Sequence, residues 1–274
     1  MKSRFLKIAA LVLAVALIVG VCAFANSLVG NPISKSLANN AAKKYVEQAY
    51  NNTDYELTDV SYDMKDGYYH ATVSSPSSVD THFELLINGF GKVKHDYYEY
   101  DVLSGWNTAH RIDKDYRKAV DDFFESNSFP YNAHTGYGEL VFVTEEGKSS
   151  YNAPDYAITT NNLTIDAYYN ANEIGKQSGK LTVYIADEVV SVERMAQILL
   201  VIRECFDSAG IGFYAIDCAL EYPQEDEDVY KYGKVEVYEF LYSDIYAEGM
   251  TERVEAANSA AQIYFGFNEG DFED

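Results

Sequence analysis

The sequence predicts an α+β protein: an N-terminal transmembrane or signal helix followed by two small α+β modules with antiparallel or mixed sheets. Three observations carry that reading. An uncharged apolar run opens the chain, a helix-period stretch then leads into four strand-like runs, and the second half interleaves strand-length apolar runs with helical stripes.

The opening run, Ile8 to Ala25, reads IAALVLAVALIVGVCAFA and follows Lys2, Arg4 and Lys7. As a helix it extends about 27 Å, close to the roughly 30 Å of a bilayer's hydrocarbon core. The basic flank stays in the cytoplasm under the positive-inside rule, so the chain after Asn26 is expected outside it. Residues 1–26 are therefore read as a retained single-pass anchor. Ala23-Phe24-Ala25 offers a small-x-small cleavage site, and secretion after cleavage near Ala25 is the alternative. Cys22 is not read as a lipidation site, because Val21 before it is too large.

The whole chain holds 21 basic and 43 acidic residues; without the three N-terminal cations the exported part has 18 against 43, a net charge of −25. Such a surface repels nucleic acid and attracts cations or basic partners. Glu225-Asp226-Glu227-Asp228 is the densest acidic cluster and reads as a solvated hairpin loop, since no D-x-D-x-D-G calcium loop is present. Cys205 and Cys218 are expected as two small buried thiols, with a disulfide as the alternative.

Residues 30–127 form the first module. Asn31 caps a helix with Pro32 at its first position, and Ile33, Leu37, Ala41, Tyr45 and Ala49 recur every four residues beside Ala38, Ala42 and Val46. Strands are expected at Tyr55 to Tyr62, Tyr68 to Ser74, Thr81 to Asn88 and Lys92 to Tyr98. Turn-rich Lys65-Asp66-Gly67, Pro76-Ser77-Ser78 and Asn88-Gly89-Phe90-Gly91 separate them. A second helix opens at Asp113 and ends near Asn127.

Residues 128–161 are expected as a linker, with Phe129 to Gly138 a loop and Glu139 to Val143 a short strand. Residues 162–268 form a ββαββα module: strands Leu163 to Tyr169 and Lys180 to Ala186, a helix capped by Ser191 and ended by Gly210, strands Phe213 to Tyr222 and Val235 to Tyr242, and a helix Gly249 to Phe265. Met195, Ile198, Leu199, Ile202 and Phe206 mark the apolar stripe of the first of those helices. Two helices on one sheet face, ferredoxin-like in spirit, is the economical assembly. Residues 269–274 are an acidic tail.

Gly30-Asn31-Pro32-Ile33-Ser34, Tyr45, Tyr68-Tyr69-His70-Ala71 and Ser74-Ser75-Pro76-Ser77-Ser78-Val79-Asp80-Thr81-His82-Phe83 resemble the YfjL-like proteins of Firmicutes. Gly105-Trp106-Asn107-Thr108, Arg111 and Tyr116 continue the resemblance, which covers roughly residues 30–122. It implies a membrane-anchored or exported bacterial protein and supplies no catalytic residue.

One polar cluster stands out. If Tyr69, Ala71 and Val73 face the helix with Phe83, Leu85 and Ile87, alternation sends His70, Thr72, His82 and Glu84 to the other face. A turn centred near Ser77 sets His70 opposite Glu84 and Thr72 opposite His82. Zinc accepts two imidazoles and a carboxylate, but no further ligands follow at a fixed helical spacing, so no metal is expected. Ser74, Ser75, Ser77 and Ser78 near Asp80 and His82 lack the G-x-S-x-G turn and oxyanion hole of a hydrolase. Phosphate-cradling glycine loops and H-E-x-x-H are absent, and no cofactor is expected.

The 25 tyrosines, clustered as in Tyr97-Tyr98-Glu99-Tyr100, are read as half-buried β-formers, with an exposed binding row as the alternative. The expectation is a non-enzymatic binding or interaction module, attached to the membrane by its first helix and facing a protein partner or cell-envelope component, with no nucleic acid. The alternative is an extracytoplasmic hydrolase or metal-dependent enzyme with an unrecognised site.

Overall fold

The structure is a computed structural model and describes residues 2–126, 128–145, 153–223 and 233–265. The chain has a mixed α+β fold that divides into two compact units, Met1–Asn107 with Thr164–Asp166, and Thr108–Leu163 with Ala167–Asp274. Glu225 to Asp228 and the 269–274 tail lie outside the described residues.

The first unit begins with α1 (Lys2–Val29). Among the described residues this is the region long and apolar enough to cross a membrane, with a mean hydropathy of 2.5 and none of the apolar window buried. Leu11, Leu13, Leu17, Ile18 and Val21 are each more than 60% exposed, so the helix has no protein core to sit in. Gly30 (φ 68°) turns the chain into α2 (Pro32–Ala49), where the Asn31 side chain accepts the Ser34 amide at 2.8 Å as the expected N-cap.

An antiparallel sheet follows: β1 (Glu56–Asp63), β2 (Tyr68–Ser74), β3 (His82–Ile87) and β4 (Val93–Asp96), in the order β1-β2-β3-β4. Tyr69, Ala71, Val73, Phe83, Leu85 and Ile87 are buried against Ala38, Ala42 and Val46 of α2, as alternation predicts. The expected helix stripe is only half right. The small alanines form the seam, letting the helix lie close to the sheet, whereas Ile33 and Leu37 are 75% and 44% exposed.

A π-helical turn (Glu99–Leu103) leads into α3 (Trp106–Glu125), which starts earlier than Asp113 because Ser104 Oγ accepts the Trp106 amide at 3.2 Å. From Thr108 onward this helix belongs to the second unit, where Ile112, Tyr116, Val120 and Phe123 join its core. The two compact units divide at 107/108, within α3, rather than in the 128–161 stretch expected as a linker.

The second unit holds β5 (Ala133–Leu140), the short parallel pair β6 (Phe142–Val143) and β7 (Ile158–Thr159), α4 (Ala171–Ser178), β8 (Gly179–Ala186), α5 (Val192–Ala209), β9 (Ala215–Glu221), β10 (Lys234–Leu241) and α6 (Met250–Phe265). Its main sheet runs β10-β9-β8-β5; β8 and β9 are parallel and the other pairs antiparallel. Ser191 caps α5 through the Arg194 amide and Gly210 (φ 70°) ends it in a left-handed cap. Leu181, Val183, Ile216, Cys218 and Val237 pack on Met195, Ile198, Ile202 and Phe206. Cys205 and Cys218 are free thiols, and burial pushes Cys218 up to about 12.

Two expectations fail here. The loop expected at Phe129 to Gly138 is mostly strand β5. Its glycines mark close packing rather than a turn: a Cβ at Gly138 would stand 2.7 Å from Val120 and one at Gly136 2.9 Å from the Phe124 ring. The strand expected at Leu163 to Tyr169 is irregular, with Asp166 at φ 61°. Thr164–Asp166 belongs to the first unit, where Ile165 packs against the core, so these residues are not available for a ladder with β8.

Candidate functional site

The face of the β1–β4 sheet turned away from α2 carries the polar residues singled out above. The β2–β3 register sets Thr72 opposite Glu84, Ser74 opposite His82 and His70 opposite Leu86. The turn is thus centred one residue later than Ser77. His70 and Glu84 still meet diagonally, with His70 Nδ1 2.8 Å from Glu84 Oε2, while His70 Nε2 lies 2.9 Å from Asp66 Oδ2.

A neutral imidazole has one N–H, so carboxylates at both ring nitrogens are satisfied together only by the protonated ring. Burial pulls the His70 pKa down, but the Glu84 and Asp66 contacts outweigh it and raise the group above its ordinary 6.5. Asp66 is opposed by its own desolvation, yet the Tyr68 amide and His70 lower it below 3.8. The sign of the linkage follows. His70 stabilises the fold fully below pH 6.5 and loses that contribution as pH rises through its elevated folded value. Asp66 contributes above 3.8 and loses its share as pH falls through its depressed value. His70→Gln is expected to remove the stability lost by the first unit above neutral pH, read as a flatter pH dependence of amide exchange in β1–β3.

His82 does not join that pair. It lines a cleft of about 370 Å³ with Thr72, Glu84, Tyr97, Tyr100, Asp101 and Asn107. The π-helical turn delivers Asp101 and Tyr100 to the sheet face, an arrangement common where a helix is distorted to place a side chain. Burial raises the Asp101 carboxyl above 3.8 against a hydrogen bond from the Glu84 amide, and the Glu84 charge raises it further. Tyr100 is 53% exposed and its ring lies 6.4 Å from Tyr97 and 6.5 Å from Trp106. The cleft therefore offers two carboxylates, an imidazole and aromatic walls. Among the described residues no group of three His, Cys, Asp or Glu side chains is placed to hold a metal ion.

The serine-rich string is occupied with local structure. Ser75 Oγ donates to Asp54 Oδ1 at 2.7 Å, and Ser78 Oγ donates to Asp166 Oδ1 at 3.0 Å while lying within hydrogen-bond distance, 2.7 Å, of the Thr81 hydroxyl. Asp80 is 1% exposed; its carboxylate accepts the Asp166 amide at 2.8 Å, and its own amide donates to Asp166 Oδ1 at 3.0 Å. Ser78 and Asp80 of this string build a clasp for residues 164–166. The tyrosines divide similarly. Tyr45 and Tyr50 hydroxyls donate to Asp96 at 2.9 and 2.7 Å, and Tyr50, Tyr55 and Tyr98 ring Phe83 at 5.1–5.8 Å. Those are core members. Tyr100 is a cleft wall, and Tyr168 is 88% exposed.

The second unit carries an open groove of about 580 Å³, lined by Ala119, Phe123, Ser126, Glu204, Cys205 and Ser208 among others. It also holds two carboxylates, Asp122 and Glu204, but neither an imidazole nor a tyrosine lines it.

The fold and this cleft define a two-unit α+β protein with an acidic, aromatic-walled surface site and an apolar N-terminal helix. The chain belongs to the YfjL-like family: residues 5–97 match the YfjL-like N-terminal domain and residues 115–255 the YfjL-like C-terminal domain. The match extends the resemblance at Gly30 to Asp122 through the second unit. No curated protein matches the chain. Among solved structures, a DUF5037 family protein from Ruminococcus gnavus ATCC 29149 is 13% identical over 80% of this chain and 98% of its own, with a TM-score of 0.25. A superposition that loose carries no argument.

Proposed function

We propose that the protein is a membrane-tethered, extracytoplasmic binding module, held by α1, whose cleft at His82, Glu84 and Asp101 takes a basic group from a protein partner or cell-envelope component. The observation that carries the binding half is the convergence of Glu84 and Asp101 with Tyr97 and Tyr100 in one concave site. Carboxylates supply charge and tyrosine faces supply cation–π contact, a pairing suited to an ammonium or guanidinium. The net charge of −22 draws such a ligand in.

The tethering half is supported by the helix itself. It runs through Ala23 and Ala25 to Val29, and the Tyr62 hydroxyl donates to the Ser27 carbonyl at 3.1 Å beyond the cleavage site. A helix that runs on across that point, with this contact on its far side, supports retention over release.

The test is calorimetric titration of the full chain in nanodiscs with a lysine-rich peptide. Saturable binding is expected, weakened about tenfold, or ~1.4 kcal/mol, by Asp101→Asn. Equal affinity for both forms, or no saturable binding, overturns the cleft reading.

A further inference from the structure

The end of the first unit nearest α1 has a composition unlike the rest of the molecule. In the antiparallel meander the β1–β2 and β3–β4 turns fall at one end of the sheet and the β2–β3 loop at the other. The first end is also where α1 joins: Tyr62 holds the Ser27 carbonyl, and Tyr69 Oη accepts the Asn31 amide at 3.1 Å and donates to the Asn31 carbonyl at 3.2 Å. The tip of the β3–β4 turn lies along the start of α2, since a Cβ at Gly89 would meet Ser34 and one at Gly91 would meet Leu37. Three separate segments thus surround the exit of the apolar helix.

These segments display apolar side chains to solvent. Phe90 is 90% exposed, Ile33 75%, Met64 61% and Leu37 44%, continuing from Val29 at 76%. Ile33 and Leu37 belong to the stripe that periodicity assigns to the core, yet the alanine seam leaves them outside. Two of the three segments are also locally basic: residues 26–46 contain Lys35, Lys43 and Lys44 and no acid, and residues 87–95 contain Lys92 and Lys94 and no acid, in a chain with about twice as many acids as bases, while the β1–β2 turn sets Lys65 between Asp63 and Asp66. Lysine stems that reach headgroups beside an apolar tip are the chemistry of a bilayer interface.

We propose that Phe90 and Ile33 seat this end of the first unit in the outer headgroup layer of the membrane that α1 spans, so that the unit rests on the bilayer. The inference depends on the tethering reading, because continuity with α1 is what selects lipid as the occupant. Seated this way, the β2–β3 loop with Val79 points away from the lipid.

The experiment places a reporter tryptophan at Phe90 and, in a second variant, at Ile33, with Val79→Trp as the reference at the far end; Val79 is 70% exposed. All three positions are solvent-facing, so the core is untouched, and the native Trp106 signal is subtracted using the wild type. The full chain is reconstituted in phosphatidylcholine vesicles containing phosphatidylglycerol, with phosphatidylcholine brominated either just below the headgroup or near the chain end. Phe90→Trp and Ile33→Trp are expected to emit to the blue of Val79→Trp and to lose emission to the shallow bromines more than to the deep ones. If both behave like Val79→Trp while the chain floats with the vesicles, the seating is wrong and the anchor stands. A chain that does not float removes the anchor and the seating together.

Discussion

Phe206→Ala is expected to cost the second unit about 3–5 kcal/mol, the range for truncating a fully buried aromatic ring. Phe206 is 0% exposed, and its ring lies 4.6 Å from Phe123, 5.8 Å from Phe124 and 5.8 Å from Phe213. It touches α3 and the segment leading to β9 at once, so neither can move in to fill the void without breaking its own contacts. Against a typical domain stability of about 5–15 kcal/mol the loss is at least about a fifth of the total. Because the two units need not unfold together, the measurement is residue-resolved amide exchange on the full chain. Exchange should accelerate in β8, β9 and β10 and stay unchanged in β2 and β3. Phe206→Leu, which leaves a smaller cavity, should show a smaller effect in the same strands. Equal protection in wild type and Phe206→Ala would mean that the aromatic cluster is peripheral to the cooperative core.

That core was readable in the sequence because α5 states its role twice, in the Met195 to Phe206 stripe and in its Ser191 and Gly210 caps. The alternation in β2 and β3 was equally plain, since both strands bury one face only. Reading failed where a residue type serves a contact that lies far along the chain. Gly136 and Gly138 signal a turn locally and become strand because α3 presses on them. In α2 the larger side chains attracted the core assignment although alanines make the seam. Ala171–Ser178 lies between two expected strands with no apolar stripe to mark it, and its helix rests on a local cap, Asn170 Oδ1 accepting the Asn172 amide at 3.1 Å.

The site was half legible. His82 and Glu84 could be placed on one sheet face by period alone, but Asp101 and Tyr100 reach that face through a π-helical turn with no sequence signature. The Tyr97-Tyr98-Glu99-Tyr100 cluster was the available signal. It was read as strand propensity, and the structure splits it: Tyr98 goes to the core and Tyr97 and Tyr100 to the cleft.

Asp80→Ala is expected to open the clasp that holds residues 164–166 and to cost the first unit about 1.5–3 kcal/mol, the usual worth of a buried hydrogen bond to a charged group. The Asp80 carboxylate accepts the amide of Asp166, a residue in the left-handed region where a non-glycine backbone persists only if its surroundings hold it. Without that acceptor the amide is left without this partner, and Ile165 loses the restraint that keeps it against the core. Asn107 transmits the change, because its Nδ2 donates both to the Asp80 carbonyl at 2.9 Å and to the His82 carbonyl at 2.6 Å, tying the clasp to the strand that carries His82 and Glu84. Exchange should therefore rise at residues 75–81 and 164–166 first, with a weaker affinity of the cleft for the lysine-rich peptide as a secondary effect. Asp80→Asn keeps a carbonyl oxygen able to accept the Asp166 amide and should retain most of the protection. If Asn and Ala prove equally damaging, the negative charge of Asp80, and not its role as acceptor, is what closes the clasp.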